Sequence, residues 1–150
     1  MPMQETERSL RMYFVLAGAI AIVLALRDVS VWTKLRDELP LDWKIAIYLP
    51  VISRLVLGVA FIIAGIQLTK ALVHGATWIK RLLIASGITF IVSGALVTSV
   101  LGTVEGQPGL VGAGISLAIT VYLYRSVVRL SDEARARAGI PPAPPTAKIV

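Results

Sequence analysis

The chain has no cysteine and a single histidine among its 150 residues. The first absence excludes a disulfide framework, a thiolate nucleophile and any cysteine-ligated metal. The second leaves His74 without another imidazole to share a metal or a haem, so an interfacial polar residue is the simpler assignment. Charge is also scarce: Asp, Glu, Lys and Arg make up 16%, against about a quarter in soluble domains. No acidic residue sits in the middle of any apolar run, which argues against a proton-coupled pump. Glu105 is the only carboxylate on its loop, so no general-acid pair is visible. Gly112-Ala113-Gly114 lies in an apolar run and lacks the strand–turn–helix setting of a phosphate loop. No Ser/His/Asp arrangement can be traced. The sequence therefore points to no catalytic, cofactor-binding or metal site.

What the chain has instead is hydrophobicity. Apolar residues make up 56%, and the mean hydropathy is +0.78. Met12–Leu26, Leu55–Thr69, Leu82–Leu101 and Leu110–Val121 are apolar nearly all round, where a soluble helix would show a polar face at a period of about 3.6. These runs predict an all-α polytopic membrane protein. Four antiparallel transmembrane helices are expected at about 12–32, 51–72, 82–101 and 110–128. A tail follows over 129–150.

Between the first two spans, Val29, Trp32, Leu35 and Leu39 fall near one helical face, which predicts a short helix lying in the interface. Pro40 stops it, and Asp42 is placed to cap the next helix. Pro50 is expected to kink or break that helix, leaving Lys44–Leu49 interfacial. Gly75 ends the second span, and Trp78, Lys80 and Arg81 suit a headgroup boundary. In the tail, Ser131 is expected to start a short charged helix that Gly139 closes. The Pro-rich segment Ile140–Val150 should be extended.

The 15 Lys and Arg residues exceed the nine acids, for a formal charge of +6. They flank the apolar runs and form no aromatic-interleaved patch, so nucleic acid is not the expected partner and anionic lipid headgroups are. The first apolar run lacks a small-x-small cleavage site, so a retained signal anchor is expected. About ten of the cations fall at the N-terminus, near residues 74–81 and in the tail, which predicts a cell-membrane protein with both termini cytoplasmic.

Small residues recur where helices would touch. Ala17, Ala21 and Ala25 repeat every fourth position, as do Gly112, Ser116 and Thr120. Gly58 and Gly65, and the Ser-Gly pairs at Ser86-Gly87 and Ser93-Gly94, repeat at a heptad. Such stripes let helix backbones approach closely. Gly87/Gly94 and Gly114/Ala118 look surplus to a minimal bundle and are candidate partner faces. Arg54 stands out as a fixed charge one turn past Pro50, before a long apolar run. With the first two spans antiparallel, Asp28 and Arg54 reach matching depth, so an ion pair across the first hairpin is expected.

The stretch RLVLGVAFIIAGIQLTK, residues 54–70, resembles one helix of the DoxX-like four-helix membrane proteins. It covers under an eighth of the chain in common membrane letters, with an extra helix ahead of it, and carries no assignment. The functional expectation is a non-catalytic accessory subunit of a larger membrane assembly, respiratory or photosynthetic, packed against other membrane subunits. The alternative is a small homo-oligomeric channel or transporter.

Overall fold

Long apolar stretches without water to bond their backbone must satisfy it internally, and helices do so within one segment. The computed structural model describes residues 2–33, 40–101 and 110–141. They form four helices: α1 (Pro2–Trp32), α2 (Leu41–Val73), α3 (Thr77–Leu101) and α4 (Leu110–Arg137). Three of them, over Thr6–Ser30, Trp43–Val73 and Thr77–Ser99, are long and apolar enough to cross a membrane. Each helix turns large apolar side chains outward: Met12, Leu16, Ile20 and Val23 on α1, Ile52, Val56 and Val59 on α2. Faces this large and this apolar suit lipid or another protein, not water.

Three expectations change. First, α1 starts at Pro2, well ahead of Met12. Proline is favoured at a first helical position, where its missing N–H would have had no helical partner, and nothing from residue 3 to 11 breaks a helix. At the other end Val29–Trp32 belong to α1 and not to a separate interfacial helix; residues 34–39, which would complete that helix, lie outside the described residues. Second, α2 runs unbroken through Pro50. Proline in a helix costs about 3 kcal/mol. A full break inside an apolar layer would free several backbone groups with no water to take them. Pro50 and Val51 are also buried, so packing holds the segment, and Ser53 Oγ donates to the Pro50 carbonyl at 3.0 Å. The N-cap of α2 is Pro40, with no side-chain cap, and Asp42 falls inside the first turn. Third, α4 continues past Val128 and past Ser131 to Arg137.

Ser131 is not an N-cap because it has other work. It is fully buried, and its Oγ donates to the Leu72 carbonyl on α2 at 3.2 Å. Leu72 lies in the last turn of α2, where carbonyls lack helical partners. That turn closes as a Schellman motif: Gly75, at φ +86°, donates to Leu72 O (3.1 Å), and Ala76 donates to Ala71 O (2.7 Å). α4 closes in the same way, with Gly139 (φ +67°) on Ala136 O and Ile140 on Arg135 O. Ser131→Ala should therefore lower thermal stability by about 1 kcal/mol, the usual net worth of one hydrogen bond. Melting in detergent at parent temperature would disprove the tie.

The core lies at the end of the bundle nearest the α2–α3 turn. Leu10 and Phe14 from α1, Leu68 and Leu72 from α2, Ile79 and Leu83 from α3, and Val127 and Leu130 from α4 form one buried cluster. Phe14 and Phe61 stack tilted, with centroids 5.7 Å apart. Away from this end, α1 holds mainly to α2, and α3 mainly to α4.

Candidate functional site

The α1–α2 seam is the most closely built feature. A Cβ added at Gly18 would stand 2.5 Å from the Gly58 carbonyl oxygen and 2.8 Å from Ile62 Cγ1. One added at Gly58 would stand 2.8 Å from Ile22 Cγ1 and 3.4 Å from Ala21 Cβ. Only hydrogen fits at either place, so the two backbones touch. Gly18 was hidden in the sequence beside the Ala17 stripe; its neighbours Ala17 and Ala19 gave it no distinguishing period.

A polar contact closes each end of this seam. Near the start of α1, Thr69 Oγ1 donates to Glu7 Oε1 at 2.6 Å. At the far end Arg54 Nη1 donates to Asp28 Oδ2 at 2.8 Å. By helical rise the contacts stand about 31 Å apart along α1 and about 22 Å along α2, and the long Arg54 and Glu7 side chains reach across the difference. That span is close to the hydrocarbon thickness of about 30 Å. Cα–Cβ bonds tilt toward a helix's own N-terminus. Arg54 on α2 is thereby aimed toward the α1–α2 connection, and Asp28 on α1 is aimed back toward the bundle centre, so the two converge. Arg27 Nη2 also comes within 3.5 Å of Asp28 Oδ1.

The small-residue stripes divide. Ala25 is fully buried, and Ala21 lies against the Gly58 backbone. Gly87 faces α4, where an added Cβ would make ordinary contact with Leu117 and Thr120 at 3.5 and 3.6 Å. Ala17 and Ala21 look across at Ser116 and Thr120 without meeting them: these residues, with Tyr13 and Phe61, line an apolar cleft of about 140 Å³. Gly94 is half-buried on α3, and its carbonyl accepts from Thr98 Oγ1 at 2.8 Å. A Cβ added at Gly114 would meet nothing within 4 Å among the described residues. Gly112 falls in α4, but its surroundings lie outside the described residues, as does Glu105.

Four hydroxyls on α3 and α4 turn back on their own helices. Ser86 donates to Leu83 O, Thr89 to Ala85 O, Thr98 to Gly94 O and Thr120 to Ser116 O, each at 2.8 Å. A hydroxyl so engaged has given up its donor and is poorly placed to line a polar path. His74 Nδ1 lies 2.9 Å from the Lys70 carbonyl. A carbonyl only accepts, so a hydrogen bond here has Nδ1 as the donor. Among the described residues no three His, Asp or Glu side chains gather as a metal site would require. No protein-family model, curated protein or solved structure matches the chain.

Proposed function

We propose that the chain is a non-catalytic integral membrane subunit of a larger membrane assembly. In this reading it crosses the cell membrane four times, with α4 as the fourth span and both termini cytoplasmic. A Pro-rich tail that docks on a partner completes the proposal. The observation that carries it is the uncovered small-residue face of α4. Among the described residues a Cβ added at Gly114 would meet nothing within 4 Å, and Ile115 and Ala118 beside it are exposed. A thin helix face in a membrane gains by admitting another helix, because association there runs on close van der Waals packing. The self-bonded hydroxyls favour this reading over a channel or transporter.

Gly114→Leu tests it. With open space around the position, the variant should melt within about 0.5 kcal/mol of the parent, as surface changes do. It should also lose most co-purifying membrane protein after mild detergent extraction. Unchanged co-purification would defeat the docking role of this face. Native mass of the parent decides between classes: a heteromeric assembly supports the subunit, and a closed homo-oligomer supports the transporter.

A further inference from the structure

The α2–α3 turn carries a cleft of about 590 Å³ at its surface, lined by Gln67, Lys70, His74, Trp78 and Arg81 among others. Four features of it converge. Lys70 and Arg81 stand on opposite walls, one near the end of α2 and the other in the second turn of α3. Among the described residues neither has a carboxylate partner within 4.0 Å. The described residues lining the cleft include no Asp or Glu, and Gln67 and Trp78 add an amide and an indole N–H as further donors. The turn also joins the ends of two membrane-length helices, at Val73 and Thr77, so the cleft opens at the level where headgroups lie.

A fifth observation concerns Arg135 of α4. Its Nη1 lies 3.4 Å from the position of an added Gly75 Cβ, against the turn whose neighbours His74 and Ala76 line the cleft. Its Nε is buried and has no hydrogen-bond partner among the described residues. Buried donors normally have acceptors, so Arg135 adds a third cation at the α2–α3 turn with a nitrogen that no acceptor among the described residues satisfies.

We propose that this cleft binds a phosphate group, that of an anionic phospholipid headgroup, held between Lys70 and Arg81. Its acyl chains would then lie along the exposed apolar faces of α2 and α3, where Ile66, Ile84 and Ile88 stand. This is a defined site, beyond the general headgroup contact expected of interfacial Lys and Arg, and it does not depend on the subunit reading above.

The test is native mass spectrometry of the full chain after exchange into phosphatidylglycerol or phosphatidylcholine and a detergent wash. The parent should retain phosphatidylglycerol in preference to phosphatidylcholine. Lys70→Gln/Arg81→Gln should weaken that retention about thirty-fold, since each interfacial cation contributes on the order of a factor of five. Lys44→Gln, on the first turn of α2 far from the cleft, should leave it unchanged. Both substituted side chains are exposed, and a melt will show whether the fold is kept; if the pair unfolds, Arg81→Gln alone should still lose about five-fold. Equal retention of the two lipids, or retention unaffected by the substitutions, overturns the proposal. Titration of the lipid-free protein with inorganic phosphate separates the sources. Absence of phosphate binding at millimolar concentration supports the headgroup. Tight phosphate binding lost in the double variant keeps the site and overturns the headgroup assignment in favour of a soluble phosphate.

Discussion

Gly18→Ala should destabilise the protein by about 2 kcal/mol, in the range of overpacking a filled site. The sign is what makes the result informative. In a helix with free space, alanine in place of glycine gains up to about 1 kcal/mol through propensity. At Gly18 the new methyl would sit 2.5 Å from the Gly58 carbonyl oxygen, and that oxygen belongs to backbone that cannot step aside without moving α2. The seam must open, and the contacts on either side of it loosen as it does. Gly18→Leu should be worse still, with little folded protein recovered. The same substitution at Gly87 should go the other way. Its added methyl would make ordinary contact with Leu117 and Thr120 at 3.5 and 3.6 Å, so Gly87→Ala should be neutral or mildly stabilising. Melting curves of the two alanine variants in one detergent decide the matter. A stable Gly18→Ala protein would mean that α1 and α2 are not in backbone contact in the membrane.

The contrast between those two glycines shows what a sequence of this kind makes legible. Apolar runs are a composition signal, so the helices were readable, and Gly75 and Gly139 were readable as helix ends because a left-handed closing residue favours glycine. Asp28 and Arg54 are readable as neighbours because two consecutive antiparallel helices with few residues between them have a fixed depth relation. Less readable was anything that depends on which face turns inward. The Ala17/Ala21 stripe has the right period for close packing, yet the structure sets it partly on a cleft and uses Gly18, one step around the helix, for the contact. When nearly every position is apolar, periodicity carries little information about burial. Ser131 was misplaced for a related reason. A Ser followed by acidic residues matches a helix start, and only the neighbouring end of α2, far away in sequence, shows that its hydroxyl serves another helix. The local cost of Pro50 alone predicts a break, whereas the whole of α2 and its apolar setting determine whether the helix breaks.

The Asp28–Arg54 contact should show a coupling of about 1 kcal/mol or more in a double-mutant cycle on thermal stability, the scale at which contacting residues depart from additivity. The two single variants should not be equal. Arg54→Gln leaves Asp28 with Arg27, whose Nη2 is 3.5 Å away, so part of the carboxylate's charge stays matched. Asp28→Asn leaves Arg54 without a carboxylate partner, about 16 Å below Trp43 by helical rise and within a membrane-length apolar stretch. An unpaired cation there must reach for the headgroups, which is costly for a side chain held partly against protein. The Arg54 side chain is 38% exposed and that of Asp28 21%, so the pair is neither free in water nor sealed from it. A fully exposed pair would contribute little or nothing. Arg27 complicates the reading, because it can stand in for Arg54 and hide the coupling. Repeating the cycle in an Arg27→Gln background removes that substitute, and the coupling should rise. Arg27 is largely exposed, at 72%, so its own loss should cost little. Strictly additive losses in both backgrounds would show that Arg54 turns to lipid headgroups and that the pair does not help hold α1 to α2.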